Sequence, residues 1–359
     1  MSTHPISKTK NTCIHGARGL AAMLVLVSHI GVGGITEAFF YQLSPSLEIL
    51  KFILIAGQYG VEIFFMISGY LITKSINRRG TIKSFLIDRC IRLYPVFIPA
   101  LMSIFVLGPF IGYRYFAGFS WFDWIANLIS NLLFLPGVVP IEAALVVAWS
   151  LSYEAVFYLS VCIYRYLSNS TVKVVIFSSA MVLPLIVIYP RMVFFVVGAG
   201  IYFLLRRGSE LPFRLPCGFN VNLLIFFALL FLMQYSRDVG MEIVPLAMFI
   251  GYLMSVFFGY LVFSEIVMQS YFPRLLLSSR TMQFLGTISY SLYIWHTIIM
   301  FGTKRVFEST VHQLGSYMSF ALFVIISVMF SIIVSYISYR VLELKVAKLL
   351  QSLEARPGY

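Results

Sequence analysis

Runs of roughly 20 predominantly apolar residues recur along the whole chain, and each is long enough to cross the hydrocarbon core of a bilayer as a helix. No soluble core could hide that much apolar surface. Hydrophobic residues make up 60% of the 359 positions and charged residues 11%, with a mean hydropathy of +0.91. A soluble domain carries roughly 25% charged residues. The apolar residues come in blocks and not at every second position, which excludes a membrane β-barrel. The expected fold is therefore an all-α polytopic integral membrane protein, a bundle of about ten transmembrane helices. By apolar length the spans fall at about 17–36, 52–73, 84–112, 145–166, 172–189, 191–206, 220–236, 243–264, 282–302 and 315–340. Residues 113–144, with Trp121, Trp124 and Pro136, suit an interfacial or partly re-entrant segment. This divides the chain into a polar arm (1–16), a membrane domain (17–340) and a basic tail (341–359).

The net charge of +12 finds its explanation in topology. Ten spans put both ends on one side, and about 20 of the 26 lysines and arginines then share the side of the termini. Both termini are expected in the cytoplasm. A nucleic-acid partner has no support, because membrane orientation already accounts for the charge. Cys13, Cys90, Cys162 and Cys217 form no CxxC pair, so neither a metal site nor a redox motif is indicated. The first apolar run lacks a small-residue cleavage site and contains Arg18 and His29, so it reads as a retained span.

Ionisable groups inside apolar spans are costly and point to function. Of five histidines, only His29 and His296 fall in spans, and the intramembrane acids are Glu62 and Glu154. Arg18 and His29 are eleven residues apart, which on a helix returns to nearly the same face about 16 Å further along. A histidine can accept a proton from a hydroxyl, and a carboxylate can orient it. An inward-facing hydrogen-bond cluster that only specifies helix packing accounts for the same composition. Arg89 and Arg92 share a helical face at the end of the third span, level with Arg18, and such a cluster suits phosphate groups as well as anionic lipid.

Taken in order, these residues resemble a known family. Arg18 and His29 match an arginine, ten residues, histidine pattern in the first span. Phe64 to Thr73, with Glu62 ahead of it, matches a second-span motif that includes Ser68. Phe85, Arg89, Arg92, Leu93 and Pro95 match a third. Trp149-Ser150-Leu151-Ser152-Tyr153-Glu154 with Tyr158 matches a fourth, and Ser289 to His296, including Tyr290, a late one. Arg340 with Glu343 resembles the closing motif. The chain resembles membrane acyltransferases of the acyltransferase-3 type, the group that includes bacterial O-antigen and exopolysaccharide O-acetyltransferases. It departs from the pattern at His15, Ala155 and Lys345, and it has no room for the SGNH hydrolase-like domain that some relatives append.

The resemblance implies transfer of an acyl group, most often acetyl, from acyl-CoA to a hydroxyl of an exported or lipid-linked glycan at the bacterial inner membrane. It implies acetyl-CoA as a donor substrate and no permanently bound cofactor or metal. His29, Arg18 and Glu154 are the expected catalytic set, with Arg18, Arg89 and Arg92 holding the phosphates of the donor. His29 would take the hydroxyl proton or carry the acyl group transiently. Glu62, Ser68, Trp149, Ser152, Tyr290 and His296 are expected in support. The competing class is a transporter of a glycan or acylated metabolite, which also needs inward polar residues but commonly shows paired repeats, and none is visible here.

Overall fold

The structure, a computed structural model, describes residues 11–35, 39–40, 43–78, 81–110, 113–167, 188–211, 218–238 and 245–354. Among them it is all-helical apart from loops and one isolated bridge between Pro136 and Val139. In chain order the α-helices are α1 (Thr12–Gly34), α2 (Pro45–Ile55), α3 (Gly60–Arg78), α4 (Ile82–Leu107), α5 (Trp121–Leu132), α6 (Trp149–Leu167) and α7 (Val193–Arg206). There follow α8 (Gly218–Asp238), α9 (Pro245–Met268), α10 (Tyr271–Leu277), α11 (Arg280–Glu308), α12 (Val311–Leu314), α13 (Ser316–Ser338) and α14 (Ala347–Glu354). A π-helix, Tyr339–Val346, joins the last two.

Eight helical stretches among the described residues are long and apolar enough to cross a membrane, and they coincide with eight of the ten expected spans. The span expected at 172–189 lies almost entirely outside the described residues. The one expected at 191–206 is α7, whose 14 residues rise about 21 Å and follow directly on the turn Pro190–Met192. The segment 113–144 holds α5, a 12-residue helix closed at its start by a capping box between Ser120 and Asp123. The Ser120 hydroxyl and amide hold the Asp123 carboxyl below the usual carboxylate range. Trp121, Phe122, Ile125 and Ile129 leave an exposed apolar face on that helix.

The chain forms two compact units. The first comprises α1 to Leu24, α3, α6 from Phe157, α7 to α10, and α11 to Gly286. One close seam is α3 against α7, where glycines interlock. A Cβ on Gly69 would run into the Phe195 carbonyl, and one on Gly198 into the Met66 carbonyl. Small residues of this kind let membrane helices approach to backbone contact. Phe195 then stacks on Phe65 and Phe157, with centroids 4.3 Å and 4.8 Å away. The start of α1 is also secured in this unit, inside the stretch expected as a polar arm. Gln283 donates to the carbonyls of Thr12 and Leu277, each at 2.8 Å, and the Thr12 and Ser278 hydroxyls lie 2.9 Å apart.

The second unit comprises Val25 to Gln58, Lys83 to Val156 and Thr287 to Tyr359. It holds α1 from Val25, α4 from Lys83, all of α5 and α13, the start of α6, and α11 from Thr287. Buried Asn131 (1% exposed) organises the approach to α6, its amide oxygen accepting the Ala144 N–H at 3.0 Å. The Tyr113 hydroxyl caps the Ala144 carbonyl at 3.0 Å. These bonds satisfy backbone groups of a loop inside an apolar setting and set where α6 begins.

Candidate active site

The second unit brings the two intramembrane histidines together. His29 on α1 and His296 on α11 are 267 residues apart in sequence, with His296 Nε2 3.4 Å from His29 Nδ1. The rings meet edge to face, centroids 5.0 Å apart and planes at 76°. Each ring is anchored by its own helix. His29 Nδ1 lies 2.9 Å from the Val25 carbonyl and His296 Nδ1 2.9 Å from the Leu292 carbonyl, both one turn back.

These bonds fix the tautomers. A carbonyl only accepts, so the Nδ1 of each neutral ring carries the hydrogen and Nε2 carries the lone pair. The His29 Nδ1–H therefore faces both the Val25 oxygen and the His296 lone pair, and His29 Nε2 is left as the basic nitrogen. His296 is fully buried, whereas His29 is half-buried. Geometry thus sets the two rings apart: His29 is the more accessible of the pair, and His296 is enclosed.

Around the pair, the start of α6 and the middle of α11 make a polar layer. The Ser150 hydroxyl lies 2.7 Å from the Tyr293 hydroxyl and 3.0 Å from the Val147 carbonyl. The Tyr293 ring is 6.2 Å from that of His296. Ser150 and Tyr293 both lie in the motifs read from the sequence, yet neither stood out among the candidates. A serine and a tyrosine in apolar helices give no signal until their 143-residue separation closes. Ser152, 1% exposed, leans back to the Ala148 carbonyl at 3.5 Å, and Trp149 packs edge to face on Tyr153, centroids 5.4 Å apart. Glu154 is half-buried one turn beyond Ser150 on α6.

Tyr290 donates to the Leu93 carbonyl at 2.8 Å, tying α11 to the proline-containing stretch of α4. Arg92, directly before Leu93, and Arg89, one turn earlier on α4, are half-buried, with the Arg89 guanidinium 5.5 Å from the Phe85 ring centre. Arg18 lies in the first unit, half-buried on the same unbroken α1 that carries His29. The eleven-residue separation read from the sequence is therefore a real helical rise of about 16 Å.

Glu62 pairs with an arginine. It lies in the first unit, 1% exposed, and its Oε1 meets Arg191 Nε at 3.3 Å. Arg191 also lies over the Tyr59 ring at 5.9 Å. From its position between two spans, Arg191 counts as an outer-loop charge. The turn Pro190–Met192, whose Pro190 carbonyl accepts from the Tyr252 hydroxyl, brings it to Glu62. Ser68, on the same helix as Glu62, is half-buried.

An O-acetyl transferase of Shigella phage Sf6 is 36% identical to this chain over 101 residues, 28% of this chain and 27% of that protein. The match thus spans about a quarter of that relative's length. No solved structure matches the chain. A family model described as an acyltransferase domain matches residues 11–340, a stretch that takes in α1 with its arginine and histidine, α11 with its histidine, and the helices between. The chain belongs to the acyltransferase-3 family.

Proposed function

We propose that the protein is a membrane O-acetyltransferase that moves an acetyl group from acetyl-CoA to a hydroxyl of an exported or lipid-linked glycan. Membership of the acyltransferase family and the name of the phage relative support the reaction class. The observation that carries the reading is the histidine pair, with His29 Nδ1–H held between the Val25 carbonyl and His296 Nε2.

In this mechanism His29 Nε2 takes the proton of the acceptor hydroxyl as its oxygen attacks the thioester carbonyl. The C–S bond then breaks, and the proton passes from the imidazolium to the departing thiolate. While His29 is charged, its Nδ1–H is a charge-assisted donor, and His296 supplies a second acceptor beside the Val25 carbonyl. Arg89 and Arg92 suit the phosphates of the donor through bidentate contacts, and Arg18 marks a phosphate-side position about 16 Å along α1 from His29. Glu154 is assigned to orientation or proton relay near the start of α6. The charge bias supports an inner-membrane protein with both termini in the cytoplasm.

Purified protein given acetyl-CoA and a glycan acceptor should release CoA in step with acetylation. Replacing His29 by alanine should abolish turnover while membrane insertion and elution on gel filtration stay unchanged. Retained turnover in that variant would sink the assignment.

A further inference from the structure

The closing motif finds no use in this mechanism, yet it sits on the most unusual backbone among the described residues. Tyr339–Val346 is an eight-residue π-helix, a form that normally lasts a single turn and concentrates at functional sites. Its effect is on register. Ser338 and Glu343 are five residues apart, and in an α-helix they would point about 140° away from each other. With i→i+5 hydrogen bonding, residues five apart come to lie over one another. Both side chains do reach the same residue: the Ser291 hydroxyl is 2.6 Å from Glu343 Oε1 and 3.0 Å from the Ser338 hydroxyl.

The direction of every bond in this group can be assigned. A carboxylate only accepts and an indole N–H only donates. Ser291 therefore spends its hydrogen on Glu343, so Ser338 must donate to Ser291. Ser338 in turn accepts from Trp295 Nε1 at 3.0 Å. The chain runs Trp295 N–H to Ser338, Ser338 to Ser291, and Ser291 to Glu343. Both Ser291 and Ser338 are buried, so the bonds are made in an apolar setting where they are strongest.

We infer that Glu343 is a positioning residue for His296, acting through this one-way chain to fix the rotation of α11. The chain grips α11 at Ser291 and Trp295, one turn apart, and His296 is the next residue. A helical side chain reaches about 5–6 Å from the axis, so a 10° rotation of α11 moves the His296 ring by about 1 Å. A misplacement of about 1 Å is enough to cost on the order of 100-fold in rate. The long, weak contact between His296 and His29 does not by itself hold that rotation, whereas the short bond to a carboxylate can.

The inference rests on the histidine reading, and one experiment separates the two. Turnover of Glu343→Ala, Glu343→Gln, Ser338→Ala, the Glu343→Ala/Ser338→Ala double variant and His29→Ala is measured in the full-length protein in one preparation, with gel filtration as the folding control. Glu343→Ala should lower kcat by about 10- to 100-fold at unchanged KM for acetyl-CoA. Glu343→Gln keeps an oxygen acceptor for Ser291 and should stay within about 3-fold of wild type. Ser338→Ala should act in the same direction, and the double variant should be no worse than the worse single one. If Glu343→Ala does not fold, Ser338→Ala, which removes one hydroxyl, decides the matter. Wild-type kcat in Glu343→Ala, or in Ser338→Ala where that decides, overturns the inference, as does a Gln variant as impaired as the Ala one. If His29→Ala is dead while the alanine variants at 343 and 338 are normal, this inference alone fails; if His29→Ala turns over, both readings fall.

Discussion

Removing the imidazole of His296 tests the division of labour between the two histidines. Its Nε2 is 3.4 Å from His29 Nδ1, at the long end of hydrogen-bonding range, and the Val25 carbonyl at 2.9 Å remains whatever happens to His296. Losing it should leave His29 present, correctly tautomerised and able to react. What disappears is one acceptor for the Nδ1–H at the moment the ring is charged. Hydrogen bonds to charged groups contribute about 1.5–3 kcal/mol, which converts to a loss of about 10- to 150-fold in kcat. His296→Leu, which fills much of the fully buried site, should fall in that window. His296→Gln can offer an amide oxygen near the position of Nε2 and should lie within about 5-fold of wild type. The assay is CoA release from acetyl-CoA by purified protein under saturating donor and acceptor, with His29→Ala as the zero. Wild-type kcat in His296→Leu would refute the supporting role. A folded His296→Leu protein as inactive as His29→Ala would show that the reacting ring is His296 and that the assignment is reversed.

Two further outcomes follow from burial. The Glu62–Arg191 pair is lopsided, with side-chain exposures of 1% and 32%. Arg191→Met strands a buried carboxylate and should cost about 3–5 kcal/mol, whereas Glu62→Gln leaves a guanidinium that already reaches the surface and should cost about 1–2 kcal/mol; thermal unfolding in detergent should rank them so, and the reverse order would discredit the pairing. Tyr293→Phe removes the hydroxyl that meets Ser150 at 2.7 Å and should lower stability by about 1 kcal/mol with Ser150 still bonded to the Val147 carbonyl; an unchanged unfolding temperature would count against that bond.

What could be read from the chain was whatever the membrane itself imposes. A bilayer demands a fixed apolar length and taxes every ionisable group within it, so eight spans, His29, His296 and Glu62 stood out residue by residue. The Arg18–His29 rise was equally legible, because it depends on one unbroken helix. The failures share a cause. No sequence signal paired Arg191 with Glu62, which a turn brings together. Ser150 and Tyr293 carried no signal as single residues, and the reach of Glu343 to Ser291 depended on a π-helical register that no residue pattern here announces. Composition and spacing determined which groups lie in the membrane, since transfer from water to lipid acts on each residue alone. Only the tertiary structure decided which of them meet, since a hydrogen bond needs two groups within about 3 Å and those partners lie dozens to hundreds of residues apart.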